Sequence, residues 1–505
     1  MFDLGNGNIA LRSDANGRYV TADNSGVSPL IASHTAVGTW ETFQAVDQGA
    51  GYIALFAMGN GRYVTADNSG ASPLIANRTA VGNWEKFLVV GTAPRSTLRG
   101  AAQENAMFVG SIAWPARTSD TRYLGTLDRE FNYFHSAEMG WSYTEPNQGN
   151  YNFSGADSDV AHADAHGQRI KGGALVWHGD APAWVNSVSD LRTAMVNHIN
   201  AEVGHLRNRV PDWEVVNEPF NDNGTLRGTV FLNKIGAGYI DLAFQTAHAA
   251  DPSALLFLND YGIEGINTKS TAVYNYICGP TGMRARGIPI HGVAFEGRVP
   301  TGYFGDLFNN VARFRNCGLA VDLSEIKSTS SDQNLQRSTY WDLIRICIYT
   351  GCRAVTFAGL DVLFDSNYNA MIGYSGARDS LQGIYWRTLN TNPYDHSITF
   401  IGFAGTPYRA EYNVGTGWFQ LATPYNATSA MKPIYLCRAG AVDHFLSAAS
   451  NCEGQQVLGM YGYGFKNAGP GLIPIKRCLY GSDHFHSRDA ACEAQVLEGT
   501  LFYSP

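Results

Sequence analysis

The stretch DWEVVNEPF, residues 212–220, is an apolar run that ends on a carboxylate, Glu218, placed between Asn217 and Pro219. Seven other short apolar runs of similar length occur along the chain, separated by segments of helix length. Eight strand-like runs that alternate with helical segments predict parallel βα units, and eight such units close a (β/α)8 TIM barrel. The other seven runs are FVGSIAW from Phe108, FNYFHSA from Phe131, KGGALVWH from Lys171, LLFLNDYG from Leu255, GVAFEGRV from Gly292, AVDLSEIK from Ala320 and AVTFAGL from Ala354.

Two of the predicted strands end on glutamates, Glu218 on the fourth and Glu325 on the seventh. In a TIM barrel the catalytic groups sit at the C-terminal ends of the strands, where side chains leave the packed interior. Two carboxylates that face each other across a cleft hydrolyse a glycosidic bond when one is protonated and the other is ionised. Either glutamate alone is more often a helix-cap or ion-pair residue, so their joint placement is what predicts a glycosidase.

The composition narrows the class of protein. The formal charge of -8 and the pI near 5.9 argue against a nucleic-acid partner. Aromatic residues make up 12% and charged residues 16%, which suits a protein that stacks rings on sugars but also a large folded core. No segment is apolar for long enough to span a membrane, and the start MFDLGNGNIA lacks the features of a signal peptide.

The eight cysteines indicate an oxidising compartment. They form no C-x-x-C motif and have no histidine spaced for zinc, so we expect disulfides and neither a metal nor a cofactor. We therefore infer a secreted, bacterial-type protein whose signal peptide was removed. The local couples are Cys278 and Cys317, Cys347 and Cys352, Cys437 and Cys452, and Cys478 and Cys492.

A duplication occupies the first region, residues 1–93. The sequence NGRYVTADNSGVSPLIASHTAVGTWETF from Asn16 recurs from Asn60 with few changes. These repeats resemble lobes of fascin-like β-trefoil domains, although a trefoil has three lobes and only two are complete here. We expect the recurrent aromatic residues to pack in a core rather than stack on sugars: Tyr19, Tyr63, Trp40 and Trp84.

The last region, residues 433–505, is also repeated. PIYLCRAGAVDHFLSAASNC from Pro433 is echoed by PIKRCLYGSDHFHSRDAAC from Pro474, and each copy holds a DHF triplet between two cysteines. We interpret it as a small β module stapled by disulfides, in which the DHF histidine makes a structural hydrogen bond to a turn. Residues 396–432 are an unassigned connection.

Five stretches within about residues 106–390 occur in the order seen in glycoside hydrolase family 10, the family of β-1,4-xylanases, which this region resembles. The stretches are AEMGWSYTEPNQGNYNFSGAD from Ala137, LVWHGDAPAWV from Leu175, WEVVNEPF from Trp213, LNDYG from Leu258 and HGVAFEGRV from His291. The resemblance implies that Glu218 is the general acid/base and Glu325 the nucleophile of a retaining reaction. It also implies that Asn217 bonds the sugar 2-hydroxyl and that His178 lines the glycone subsite. The other expected substrate-binding residues are Trp177, Asp180, Trp184, Glu138, Trp141, Glu296, Arg298, Asp260 and Tyr261.

The chain departs from the family pattern around the substrate. The family's Glu-Asn pair on the second strand is Ser136-Ala137 here, and the lysine before its tryptophan is Gly140. A glutamine after VWH is Asp180, and the glutamine and histidine of the sixth strand are Glu296 and Arg298. Lost polar contacts change which sugar fits a site. Near Glu325 we expect Arg298 and Lys327 to favour its ionised form and Glu296 to oppose it.

We therefore expect a retaining β-glycosidase that hydrolyses plant polysaccharide in the manner of an endo-β-1,4-xylanase, with altered glycone subsites. One alternative is a hydrolase of another β-glycoside, such as a saponin or a β-glucoside, on the same scaffold. A second is a carbohydrate-binding or adhesion protein with an inactive barrel. The catalytic domain is predicted over residues 106–395, the substrate is a polysaccharide or oligosaccharide, and the protein is expected to be a monomer.

Overall fold

The computed structural model describes residues 2–5, 8–11, 13, 18–23, 27–48, 52–67, 72–88, 97–113, 119–299, 304–391, 394–398, 409–410, 418–422, 427–469 and 471–505. The chain divides into two compact units. One comprises Met1–Gly91 with Val160–Arg169, and the other comprises Thr92–Asp159 with Ile170–Pro505. Among the described residues we find no helix with both the length and the apolar content that a bilayer crossing requires.

The first region is built of short antiparallel strands. One sheet runs in the order β1-β2-β5-β6-β7-β8, β9 pairs with β6, and β3 pairs with β4. The duplication is visible in the register, because Tyr19 pairs with His34 as Tyr63 pairs with Arg78. The strands are β1 Phe2–Gly5, β2 Asn8–Ala10, β3 Tyr19–Thr21, β4 Ile31–His34, β5 Phe43–Asp47, β6 Tyr52–Ala57, β7 Arg62–Thr65, β8 Ile75–Arg78 and β9 Phe87–Leu88.

The core of this region is apolar and contains Phe43, Leu55 and Val64. The expectation for Trp84 is wrong, because 48% of this residue is exposed. Trp40 packs against Gly59, where an added Cβ atom would overlap the Trp40 ring. The assignment of the repeats to a trefoil stays a prediction.

A closed barrel of eight parallel strands follows, in the order in which the strands occur along the chain. Phe108 on the first strand pairs with Ala354 on the last, which closes the sheet. The strands are β10 Phe108–Ala113, β11 Tyr133–Ser136, β12 Arg169–Val176, β13 Asp212–Asn217, β14 Leu255–Tyr261, β15 Gly292–Val299, β16 Ala320–Ser328 and β17 Ala354–Phe357. Each of the eight predicted runs overlaps one of these strands, so the TIM-barrel prediction is confirmed.

Helices connect the barrel strands, as right-handed parallel connections require. Short polar side chains cap several of them: Asp120 accepts from Arg122 N at 2.9 Å, and Asn267 accepts from Ser270 N at 2.8 Å. The helices are α1 Leu98–Glu104, α2 Thr121–Glu130, α3 Trp141–Thr144, α4 Ser154–His166, α5 Leu191–His205, α6 Val230–Ile235, α7 Tyr239–Ala250, α8 Thr268–Cys278, α9 Phe304–Asn316, α10 Gln333–Thr350 and α11 Ile372–Leu381.

The C-terminal strands form two further sheets, ordered β19-β18-β20 with β21 on β18, and β23-β22-β24-β27-β25-β26. Their core includes Tyr385 and Phe419, stacked 5.5 Å apart, together with Trp341 from the barrel helix α10. The strands that pack with the C-terminal repeats therefore begin ahead of the predicted boundary at 395. They are β18 Ile384–Thr391, β19 Tyr394–Ile398, β20 Arg409–Ala410, β21 Trp418–Gln420, β22 Met431–Ala439, β23 Asp443–Ser447, β24 Gln456–Phe465, β25 Ile473–Tyr480, β26 Asp483–Ser487 and β27 Val496–Ser504.

Three Asp-His dipeptides tie this module together in a ring. Each aspartate accepts hydrogen bonds from the backbone N–H and the Nδ1–H of a histidine in another dipeptide. The expected bond from the DHF histidine to a turn is therefore wrong, since the acceptor is a carboxylate about one repeat away. The pairs are Asp395 with His444, Asp443 with His484, and Asp483 with His396.

All four predicted cysteine couples are confirmed as disulfides. Cys278–Cys317 joins the end of α8 to the end of α9, and Cys347–Cys352 closes the turn before β17. The other two staple the C-terminal repeats.

Candidate active site

The two predicted catalytic glutamates lie where barrel strands end, and both have a left-handed backbone. Glu218 directly follows β13, and its N–H donates to Asn259 O at 2.9 Å. Glu325 lies in β16 between two register shifts, one against β15 and one against β17. Their φ angles are 50° and 53°, a region that costs about 1–2 kcal/mol for a residue with a Cβ atom. Such strain concentrates at functional sites, and irregular strand positions re-aim side chains.

A third carboxyl group, that of Glu296 on β15, lies near both glutamates. Its pKa is raised by burial and then by the charges of Glu325 and Glu218, so all three lie at one end of the barrel. Glu296 pairs in register with Tyr261 on β14 and with Ser324, the residue before Glu325. The fold thus brings together three residues that lie far apart in the sequence.

An amide and hydroxyl network runs between the two glutamate-bearing strands. Asn259 Nδ2 donates to Asn217 Oδ1 at 3.0 Å, and Ser324 Oγ donates to Asn259 Oδ1 at 2.6 Å. Asn217 is 5% exposed and Asn259 is fully buried. Because Asn259 holds the Asn217 oxygen, it fixes which way the Asn217 amide group points.

Arg227 fastens the loop that carries Glu218. Its Nε donates to Glu218 O at 3.0 Å, and its Nη2 donates to Tyr261 Oη at 2.8 Å. His178 lies on the same side, with Nε2 3.9 Å from Glu218 Oε2. Burial and the charge of Arg227 lower the pKa of His178, so at neutral pH the imidazole is uncharged beside the carboxyl group.

Asp260 is held in the interior by a lysine and a backbone N–H, contrary to the expectation that it binds substrate. It is fully buried, its Oδ1 lies 2.8 Å from Lys269 Nζ, and its Oδ2 accepts from Phe220 N at 3.1 Å. Burial raises its pKa to about 6 against the opposing charge of Lys269. Asp260 therefore orients the segment after Glu218, while Tyr261 is half-buried and is held through its hydroxyl group.

Asp180 fills a space that the sequence departure at Gly140 leaves open. A Cβ atom added at Gly140 would overlap Asp180 Oδ2. The Asp180 carboxyl group accepts hydrogen bonds from the backbone N–H and the hydroxyl of Ser142, and burial raises its pKa. Two departures from the family pattern are thus one coupled change in space.

The three predicted tryptophans differ in their availability. Trp141 is fully buried and stacks on His198 at 4.1 Å, so the expectation that it contacts substrate is wrong. Trp184 is half-buried and donates from Nε1 to Glu145 O at 3.1 Å. Trp177 is half-buried, and its indole N–H finds no hydrogen-bond acceptor among the described residues.

Glu138 and Arg298 are the remaining two residues that were expected to bind substrate. The Glu138 carboxyl group turns toward α4, where a Cβ atom at Gly155 would overlap it, and burial raises its pKa. It is therefore not brought to Glu218. The side chain of Arg298 lies outside the described residues.

Three residues of this site were not predicted from the sequence: Asn259, Arg227 and Lys269. Asn259 stands inside the LNDYG stretch that carried the resemblance, so a signal for it was present. Arg227 and Lys269 lie in segments without a motif, and only the contacts described above identify them.

Comparison with known proteins identifies the family of the barrel. The model of the family described as glycosyl hydrolase family 10 matches residues 97–369. Endo-1,4-beta-xylanase A of Phanerodontia chrysosporium is 33% identical over 274 residues, which cover 51% of this chain and 65% of that protein. Endo-1,4-beta-xylanase B of Thermotoga neapolitana is 32% identical over 292 residues, which cover 52% of this chain and 84% of that protein.

Solved structures show the same likeness. Xylanase 10B from Thermotoga petrophila RKU-1, in complex with xylobiose, superposes with a TM-score of 0.54 at 29% identity, covering 56% of this chain and 97% of its own. A glycosylated endo-beta-1,4-xylanase from Gloeophyllum trabeum gives a TM-score of 0.53 at 30% identity, covering 57% and 99%. The likeness covers only part of this chain, and the family match within it coincides with the barrel.

Proposed function

The chain belongs to glycosyl hydrolase family 10, and on that premise we propose that it hydrolyses internal β-1,4 linkages of xylan with retention of configuration. The observation that carries the proposal is the placement of Glu218 and Glu325 after the fourth and within the seventh strand of a closed barrel, both at positive φ. The family's retaining chemistry needs two carboxyl groups and water.

In the first step Glu325 attacks the anomeric carbon while Glu218 transfers its proton to the leaving oxygen. The bond to the leaving sugar breaks, and a covalent glycosyl ester forms on Glu325. Asn217, whose amide is fixed by Asn259, is placed to bond the sugar hydroxyl next to the reacting carbon. The neutral His178 lies beside Glu218 without adding a positive charge.

In the second step Glu218, now ionised, takes a proton from a water molecule that attacks the same carbon. The ester bond to Glu325 breaks, and the two inversions give a product with the original configuration. The enzyme returns to its starting protonation state without a cofactor.

The test is product analysis with the purified protein on β-1,4-xylan, arabinoxylan, mixed-linkage glucan and aryl or saponin β-glycosides. We expect short xylo-oligosaccharides from xylan, formed with a rapid fall in polymer size. Release of sugar from another glycoside, without attack on xylan, would overturn the substrate assignment. If no substrate of the panel is hydrolysed, the proposed activity is overturned.

The coupled change at Gly140 and Asp180 predicts non-additive kinetics. Restoring the family pair with Gly140→Lys and Asp180→Gln together should raise kcat/KM on xylotetraose, because a cation and an amide return to the glycone side. Gly140→Lys alone should raise kcat/KM less than the same change does in the presence of Asp180→Gln, since Asp180 Oδ2 occupies the space. Contacting residues show interaction energies of about 0.5–3 kcal/mol in such cycles.

The measurement is kcat/KM for the parent, both single variants and the double variant. The control is Arg192→Lys, a conservative change at an exposed residue, measured in the same assay. Strictly additive effects in the cycle would contradict the coupling.

The roles of the flanking regions and the secretion of the protein are proposals. Disulfides in both the barrel and the C-terminal repeats support secretion, because such bonds persist in oxidising compartments. We propose that the catalytic chain acts as a monomer and that its repeat modules bind carbohydrate or a cell surface. The absence of a nucleic-acid partner stays a prediction from the net charge.

A further inference from the structure

Glu296 is a buried carboxyl group that the retaining mechanism does not use. It lies on β15 and is only 8% exposed, and its register partners are Tyr261 and Ser324. Its Oε2 lies 3.5 Å from Asn259 Nδ2, the same amide that bonds Asn217. Glu296 therefore adjoins the network that spans the two glutamate-bearing strands.

The groups around Glu296 are mostly acidic. Four other carboxyl groups lie near enough for their charges to raise the pKa of Glu296: Glu325 on β16, Glu218 after β13, Glu214 on β13 and Asp260 on β14. Among the described residues, the buried lysines beside these acids are paired with them: Lys171 Nζ lies 3.0 Å from Glu214, and Lys269 Nζ lies 2.8 Å from Asp260. His135 on β11 is buried, and desolvation lowers its pKa, so it adds no charge at neutral pH. Lys327 on β16 is exposed.

A second ionised carboxylate beside Glu325 would be costly here. Burial disfavours the charged form of Glu296, and Glu325 and Glu218 disfavour it further, so the pKa of Glu296 rises to about 9. A protonated carboxyl group is neutral and has one hydrogen-bond donor and one acceptor. In charge and size it matches the glutamine that the family pattern has at this position.

We propose that Glu296 is a positioning residue that keeps its proton throughout the working pH range and donates a hydrogen bond toward the Glu325 carboxylate. The proposal rests on the proposed function, because it assigns Glu325 as the group to be oriented. It reverses the expectation that Glu296 opposes the ionised form of Glu325. The proton that would otherwise reside on the nucleophile is held on its neighbour.

The first test is the pH profile of kcat/KM for Glu296→Gln beside the parent. Since the amide matches the protonated acid, kcat/KM should stay within about threefold and both limbs should coincide below about pH 8. Glu296→Leu, which has no donor, should lower kcat by about tenfold, because it loses a hydrogen bond to a charged group. A shift of both limbs of Glu296→Gln to lower pH would overturn the proposal, because it would reveal a lost negative charge.

The second test does not depend on activity. The infrared difference between parent and Glu296→Gln at neutral pH should contain the C=O band of a protonated carboxyl group. Other buried acids with raised pKa values, such as Glu202 and Asp342, occur in both proteins and cancel. A carboxylate band in its place would overturn the proposal, even if the protein proved inactive on xylan.

The third test uses stability. In the unfolded chain a glutamate loses its proton near its ordinary pKa, whereas folded Glu296 keeps it to about 9. Between these values the folded state binds the extra proton, so the stability of the parent falls as pH rises. As the pH is raised from about 5 to about 8, the unfolding midpoint of Glu296→Gln should therefore rise relative to that of the parent. A constant difference across that range would contradict a retained proton.

Discussion

Glu325→Ala lowers kcat on aryl β-xylosides and xylan by on the order of 10⁴-fold or more, the scale of loss when a nucleophile is deleted. The physical reason is that no other described carboxyl group is aimed by the β16 irregularity at the place of attack. Glu296 cannot substitute, since it is held protonated. Steady-state kinetics of the purified variant measure the effect. Turnover close to that of the parent would contradict the assignment.

Azide separates the roles of the two glutamates. With Glu325→Ala, azide attacks the substrate directly and gives a glycosyl azide of inverted configuration. With Glu218→Ala, a substrate with a good leaving group still forms the covalent ester, so azide intercepts it with retention of configuration. Exchanged product configurations would reverse the assignments. The exposed Glu104 on α1 provides a control, and Glu104→Ala should change kcat by less than about twofold, since surface substitutions usually have small effects.

Arg353→Met lowers the free energy of unfolding by about 3–5 kcal/mol, the second large effect that we expect. Arg353 Nη1 donates to Asp212 Oδ2 at 2.8 Å, and its Nε donates to Asp322 Oδ1 at 3.0 Å. Both aspartates are almost fully buried, and the guanidinium lies 4.6 Å from the centre of the Phe257 ring. Burial opposes the charge, but the two carboxylates more than offset it, so the pKa of Arg353 lies well above its ordinary value. Its removal takes the guanidinium charge away from two buried acids.

Urea unfolding followed by circular dichroism measures this change. The matched control is Arg286→Met, which removes an arginine from the partly exposed pair with Asp241. An exposed pair of this kind contributes at most about 1 kcal/mol. Equal losses in the two variants would show that the buried network does not stabilise the barrel.

Much of this architecture could be predicted because it depends on local patterns. Eight apolar runs separated by helical segments predict a barrel, since a strand buried on both faces needs continuous apolar residues. Glu218 and Glu325 could be located because catalytic groups of such barrels occupy strand ends. The cysteine couples could be paired because each joins two cysteines that are consecutive along the chain.

Other features depend on contacts between distant segments. Trp141 belongs to a motif, yet it stacks on His198 in the core. The DHF triplets predicted a local hydrogen bond, but the histidines bond aspartates that lie more than 40 residues away in the sequence. Asp180 and Gly140 are separate departures in the sequence and a single change in space.

The sequence by itself determined the barrel, the two glutamates and the disulfide couples, because periodicity, motif order and cysteine spacing are properties of short segments. Only the tertiary structure decided the protonation of Glu296, the burial of Trp141 and Asp260, and the ring of Asp-His pairs. Burial and charge depend on what surrounds a side chain in space. Glu296 and the four carboxyl groups near it come from four different strands and the residue that follows one of them.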